Sequence, residues 1–386
     1  MSFTAAPAHL PFAIPADCLE AAIAGFADGS AEYASLHRKV ASHADEALTM
    51  GPETVTAKTS VPPSGDVHDF SSMDPYMWPN PDTPDGLPWI HRDGEVNPTS
   101  TTDDYDDGRL DDFCHAAIGA GLGGMLLGEE QYVDWGAKLI RVWFLDRETR
   151  MRPNMNFSQA RPGTKWNDGS PTGVLECRDF IYVLDGAALM EDTPWMPTPE
   201  MDRLKQWFAE FLHWMRTSTV GRVHTLFQNN HGTWDDASQV CFALFHENDP
   251  DARQTLTERT LGRIDIQFRA DGGQPRELRR TKALGYSLHN IEGWFELAIM
   301  AERLGIDLWN HVAPNGGSLK AGMDFLLPYA DESVPWPYQQ IEPLDRSSFA
   351  PYLRLADRAW GRKDGRYLET LQRLFPDAPP FLSFKF

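Results

Sequence analysis

Residues 198–218 read Thr-Pro-Glu-Met-Asp-Arg-Leu-Lys-Gln-Trp-Phe-Ala-Glu-Phe-Leu-His-Trp-Met-Arg-Thr-Ser. Leu204, Trp207, Phe208, Phe211, Leu212 and Met215 recur there at three- and four-residue steps. At 3.6 residues per turn those steps gather the six side chains on one side, which predicts a helix with one buried face. Pro199 falls in the first turn, where a missing N–H costs no hydrogen bond. The same spacing recurs over 30–49, 109–127, 129–147, 174–190, 234–247, 286–304 and 363–374, and Gly128 separates two of these runs. Strand signals are few. Ile264-Asp265-Ile266-Gln267-Phe268 alternates, and that pattern also suits a helix end. The expectation is an all-α chain of helical hairpins arranged in a ring, a single domain over residues 1–386.

Two stretches break the pattern. From Val61 to Pro98 there are eight prolines with Gly, Asp and aromatics between them, which excludes helix. Tyr76, Trp78 and Trp89 argue against disorder, leaving a packed surface loop or one wall of a ligand cleft. Arg152 to Gly173 has the same Pro/Gly/Asn-rich character.

Charge excludes further classes. With 35 Lys+Arg against 56 Asp+Glu the net charge is −21, so the overall field repels nucleic acid and anionic membrane. No apolar run approaches the roughly 20 residues that span a bilayer. Residues 1–15 lack a basic region and a continuous apolar core, so no secretory signal is read there. That places the protein in the cytoplasm as written, or in a secreted or periplasmic setting with its signal removed. Cys18, Cys114, Cys177 and Cys241 are scattered without metal spacing and are expected to be structural thiols. No P-loop, GxGxxG or GxSxG occurs, so no nucleotide cofactor and no serine nucleophile is expected. Oligomeric state is not legible.

Two clusters carry candidate chemistry. Gln228-Asn229-Asn230-His231-Gly232-Thr233-Trp234 sets side-chain amides beside a His ahead of a helix. Such donors suit a carboxylate whose negative charge grows during reaction, though Asn229 or Asn230 can equally cap the helix. Arg276-Glu277-Leu278-Arg279-Arg280-Thr281-Lys282 precedes Tyr286. Four cations in seven residues form either a solvated basic face or a pocket for an acidic sugar or phosphate that lowers a Tyr pKa. In a helix Lys282 and Arg279 share the face of Tyr286, while Arg280 approaches it only where the backbone bends. Asp235 and Asp236 point in different directions on a helix, which does not suit a glycosidase pair. His289 and Glu292 are an i,i+3 pair better explained as a core hydrogen bond than as half a metal site.

The blocks Pro62-Pro63-Ser64-Gly65-Asp66, His68-Asp69-Phe70, Pro75-Tyr76-Met77-Trp78-Pro79-Asn80-Pro81, Asp85-Gly86-Leu87-Pro88-Trp89-Ile90, Arg92-Asp93-Gly94-Glu95 and Asn97-Pro98 resemble the opening signature of the alginate-lyase-domain polysaccharide lyases. Asn154 to Ala160, Asn229 to Trp234 and Asp271 to Ser287 resemble its later blocks, in the right order from about residue 58 to 305. The Asn-Asn-His-Gly-Thr and Arg-Thr-Lys wording is closer to the branch with β-1,4-glucuronan lyases than to the better-known alginate lyases. The resemblance implies an α/α toroid, an incomplete helical barrel with the long Pro-rich loops lining its cleft. It also implies β-elimination on an acidic polysaccharide, with no metal or cofactor. It nominates Asn230, His231, Arg280 and Tyr286 as catalytic, and Tyr76, Trp78, Arg92, Gln159, Asn229 and Arg279 as substrate-binding. A seven-residue Arg-to-Tyr spacing selects Arg279 for the carboxylate; the motif wording selects Arg280. Met77 stands where the family more often has an aromatic.

β-Elimination removes the C5 proton, α to a carboxylate, and breaks the C4–O bond. The site must neutralise that carboxylate and stabilise an enolate-like dianion. Asn230, His231 and Arg280 supply donors and positive charge, and Tyr286 serves as base and acid if nearby cations outweigh burial. In β-D-glucuronate and β-D-mannuronate H5 and O4 lie on one side, so one Tyr suffices; α-L-guluronate needs a second base, His231. The expectation is syn elimination on a β-1,4-linked uronan, glucuronan ahead of mannuronan. The rivals are a glycoside hydrolase using Asp235 or another acid, and a non-catalytic binder of acidic polysaccharide.

Overall fold

The computed structural model describes residues 9–386, so part of the stretch read for a leader lies outside the described residues. The described chain is mostly helical. Its α-helices are α1 (Ala16–Ala27), α2 (Ala34–Thr49), α3 (Asp107–Ala117), α4 (Gly124–Leu127), α5 (Glu130–Ile140), α6 (Phe180–Met190), α7 (Thr198–Thr217), α8 (Thr219–Thr225), α9 (Asn230–Phe245), α10 (Asp249–Gln254), α11 (Leu261–Gln267), α12 (Ala283–Arg303), α13 (Leu319–Leu326), α14 (Ala350–Trp360) and α15 (Arg366–Leu374). Every expected helical run contains one, although 109–127 and 129–147 carry π-helical turns at Ile118–Gly123 and Arg141–Leu145. The alternating residues 264–268 close α11 and form no strand.

Two compact units divide the chain. Of the described residues, the first holds 9–11, 40–226 and 242–247. Its core gathers on α7, whose buried face is Met201, Leu204, Trp207, Phe208, Phe211, Leu212 and Met215. Phe144 meets Trp207 at 4.7 Å between ring centroids and Phe208 at 5.1 Å, and Phe180 meets Phe208 edge-on at 5.9 Å. Every residue of α6 is buried in the same core. The Pro-rich stretch is not helical. It contributes β1 (Ser71–Met73), β2 (Met77–Trp78) and β3 (Ile90–His91). β1 pairs in parallel with β4 (Phe157–Ala160), and β2 pairs antiparallel with β3.

The second unit holds residues 12–39, 227–241 and 248–386. Its spine is α12, buried along nearly its whole length, with Phe295 packed against Trp309 and Trp360. None of the four cysteines is in a disulfide. Among the described residues no helix is long and apolar enough to cross a membrane.

Candidate functional site

All four nominated catalytic residues fall in the second unit. Asn230 opens α9, where the Asn229 carbonyl accepts the N–H groups of Gly232 and Thr233 at 2.9 and 3.3 Å. Gly232 is required there, since a Cβ would stand 2.0 Å from the Phe227 carbonyl oxygen and 2.3 Å from the Arg263 guanidinium. Beneath this turn runs a buried polar network. Gln267 Oε1 accepts from Asn290 Nδ2 and Trp294 Nε1 at 2.9 Å each, and its Nε2 donates to the Asn229 carbonyl at 3.0 Å. Asn290 Nδ2 also reaches Gln274 Oε1 at 2.7 Å, and Thr233 Oγ1 lies within 2.9 Å of both Gln267 and Asn290 oxygens. The network fastens α9, α11, α12 and the segment before Glu277 in one register.

Asn230 is fully buried, and its amide does not cap the helix. Its backbone N–H and its Nδ2 both donate to Glu277, at 2.7 Å each. Its Oδ1 is buried and accepts no hydrogen bond. Glu277 is itself buried, which pushes its carboxyl up to about 7 despite the Asn230 donors and the charges of Arg280 and Arg276. His231 is half-buried, its ring 5.4 Å from that of Phe227.

The basic run is not helical, which corrects the helical geometry weighed for it. Asp271-Gly272-Gly273 turns first, with Gly272 at φ +82° and its α-carbon against the Ala321 carbonyl, where a Cβ would lie 1.8 Å from the oxygen. Turns follow, with the Glu277 N–H on the Gln274 carbonyl and the Arg280 N–H on the Glu277 carbonyl. α12 then starts abruptly, because Gln339 O and Gln340 Oε1 take the N–H groups of Ala283 and Leu284 at 3.0 Å each. The bend lays Arg280 on Tyr286, its guanidinium carbon 3.7 Å from the ring centroid. Arg279 points into solvent, Arg276 donates to Gln228, and Lys282 pairs with Glu342 at 2.7 Å.

Asp235 and Asp236 are wholly buried and engaged by arginines, so neither presents an oxygen to a glycosidic bond. His289 stacks on Trp234, and Glu292 accepts from the Tyr352 hydroxyl at 3.1 Å. No group of three His, Cys, Asp or Glu suited to a metal occurs among the described residues.

The outer substrate-binding candidates lie in the first unit. The β2–β3 pairing brings Tyr76, Trp78 and Arg92 together: Arg92 sits 4.9 Å over the Trp78 ring, and its N–H donates to the Tyr76 carbonyl at 2.8 Å. Trp78 Nε1 donates to the Glu95 carbonyl, which fixes the indole. Gln159 lies on β4 at φ +46°, a left-handed conformation unusual for a residue with a Cβ. Ser72 Oγ holds it by accepting its N–H at 2.7 Å, and donates in turn to half-buried Glu176 at 2.7 Å.

Sequence reasoning missed Glu277. The one acid inside a cationic run reads as charge balance, and only the fold shows it gripping Asn230 from 47 positions away.

The family model described as alginate lyase matches residues 54–336. No curated protein matches the chain. Among solved structures, an alginate lyase from Bacteroides ovatus is 34% identical, with 94% of this chain and 95% of that one covered and a TM-score of 0.88. Alginate lyase A1-III from Sphingomonas species A1 is 19% identical, with 97% and 91% covered and a TM-score of 0.55. A variant of alginate lyase A1-III complexed with a tetrasaccharide is 17% identical, with 95% and 92% covered and a TM-score of 0.59. The fold class is the α/α toroid of these neighbours.

Proposed function

Because the chain belongs to the alginate lyase family and is a polysaccharide lyase, we propose that it cleaves a β-1,4-linked uronan by metal-independent syn elimination. The product carries a 4,5-unsaturated uronate end. Tyr286 removes the C5 proton and returns it to the leaving O4, while Asn230, His231 and Arg280 neutralise the carboxylate. The observation that carries this reading is the guanidinium of Arg280 on the face of Tyr286, 3.7 Å from its centroid. A fixed cation there stands ready for the dianion that forms on proton removal. Glucuronan ranks ahead of mannuronan on the wording of the Asn-Asn-His-Gly-Thr and Arg-Thr-Lys blocks. Mannuronan is the second reading, favoured by the 34% identity to an alginate lyase.

Incubation with glucuronan, polymannuronate, polyguluronate and hyaluronan, following ultraviolet absorbance beside reducing ends, tests this directly. Growth of both signals together on a β-linked uronan is expected. Reducing ends without absorbance would mean hydrolysis, and retention of polymer without either would mean a binding protein.

The two arginines separate by substitution. Arg280→Ala is expected to lower kcat/KM about 10²-fold or more, as for loss of one preorganised donor to a developing oxyanion. Arg279→Ala, exposed, should stay within about threefold. Equal losses would remove the distinction. In the first unit Trp78→Ala is expected to raise KM about fivefold with kcat nearly unchanged, the loss of roughly 1 kcal/mol of stacking. Steady-state kinetics on the preferred polymer decide it, and an unchanged KM would take Trp78 out of substrate binding.

A further inference from the structure

Asn230 poses a problem for the reading above. To neutralise a uronate carboxylate its amide must present N–H, yet Glu277 takes the backbone N–H and one of the two Nδ2 hydrogens at 2.7 Å each, which ties the NH₂ end to Glu277. The other end of the amide, Oδ1, is buried and accepts nothing. An acceptor with no donor, inside the protein, is expensive and unusual. Turning the amide end for end exchanges the positions of Oδ1 and Nδ2, and Glu277 can donate to Oδ1 only when it carries a proton. In that arrangement Glu277 still accepts the Asn230 backbone N–H on its other oxygen. The orphaned carbonyl gains a donor, and both hydrogens of Nδ2 leave Glu277 for the position that Oδ1 held.

We propose that Glu277 is a positioning residue whose protonation turns the Asn230 amide so that its NH₂, rather than its carbonyl, meets the substrate carboxylate. This rests on the assignment of Asn230 to carboxylate neutralisation. The groups facing Glu277 are Asn230 of α9, with His231 next in the chain, and Arg276 and Arg280 of its own segment; Tyr286 of α12 lies behind Arg280. The arginines favour the ionised form and burial opposes it, leaving the carboxyl at about 7. The group is therefore poised to change state near neutrality. An arriving uronate adds a like charge beside it and favours the protonated form further. Binding then takes up a proton, and by linkage acid favours binding.

The sign for activity follows. The competent form is present below pH 7 and is lost as pH rises through about 7. kcat/KM reports the free enzyme, and Glu277→Gln mimics the protonated acid, since its amide donates to Asn230 Oδ1 while its carbonyl accepts the backbone N–H. Between pH 6 and pH 8, wild-type kcat/KM is expected to fall about tenfold more than that of Glu277→Gln, with ionisations common to both proteins cancelling. Parallel profiles would overturn the proposal. Should the variant not fold, proton uptake by a protein that keeps Glu277 decides it. Calorimetric binding of a uronate tetrasaccharide to Tyr286→Phe at pH 7.5, in two buffers of different ionisation enthalpy, should show net uptake; none would overturn it. A wild type that makes no unsaturated product from any uronan would instead bring down the lyase reading beneath it.

Discussion

Tyr286→Phe is expected to abolish growth of the unsaturated-uronate absorbance, a loss of about 10³-fold in kcat, as for removal of a general acid–base group. The substitution deletes one oxygen and leaves the ring on which Arg280 rests. At the start of α12, Gln339 and Gln340 hold the first N–H groups and Tyr286 bonds through its backbone to the Lys282 carbonyl. Folding should therefore be unchanged, and oligosaccharide should still bind. That combination separates a chemical role from a structural one: turnover disappears while affinity and melting temperature stay. A variant with near-native rate would remove Tyr286 from the mechanism and pass the base to His231, the remaining nominated group able to accept a proton.

What sequence alone reached, and where it stopped, follows the range of the forces involved. Helical periodicity is a local signal, and the buried face of α7 contains all six apolar residues expected there, with Met201 added. The helical 283–303 was likewise legible, apart from its first turn. The path of 275–282 was not, because it is set by partners far along the chain: the Ala321 carbonyl against Gly272 and the Gln339–Gln340 pair at the head of α12. Assuming a helix there favours Arg279, whereas the bend places Arg280 on the ring. Motif wording selects Arg280 without passing through a secondary-structure assumption. Glu277 had neither signal. Its significance lies in two bonds to a residue 47 positions earlier, and a carboxylate inside a basic run invites the ordinary explanation of local charge balance. In the first unit, proline density correctly excluded helix, yet the short β2–β3 pairing that groups Tyr76, Trp78 and Arg92 is too brief for any alternation to announce it.

Asp236→Ala carries the largest expected effect on stability, and it bears on the rival hydrolase reading. Asp236 is fully buried. Arg263 grips it with two nitrogens at 2.7 and 3.1 Å, Arg259 reaches it at 2.6 Å, and Thr260 donates to it at 3.0 Å. Removing one partner of such a buried group strands the others: Arg263, itself almost wholly buried, would keep the Phe227 carbonyl and lose its counter-charge. The expected cost is about 3–5 kcal/mol, far above the lost Coulomb attraction of an exposed pair. Since Arg263 also abuts Gly232, the disturbance reaches the turn that carries Asn230 and His231. Urea unfolding followed by tryptophan fluorescence should show a much lower midpoint, and activity should fall in step with the folded fraction as temperature rises. A carboxylate acting as glycosidase acid behaves in the opposite way, because its removal empties the reaction while leaving the fold intact or firmer. An Asp236→Ala protein with an unshifted midpoint and no turnover would reinstate the acid pair. The surrounding arginines make the first outcome the expected one, for they occupy the carboxylate oxygens that hydrolysis would need.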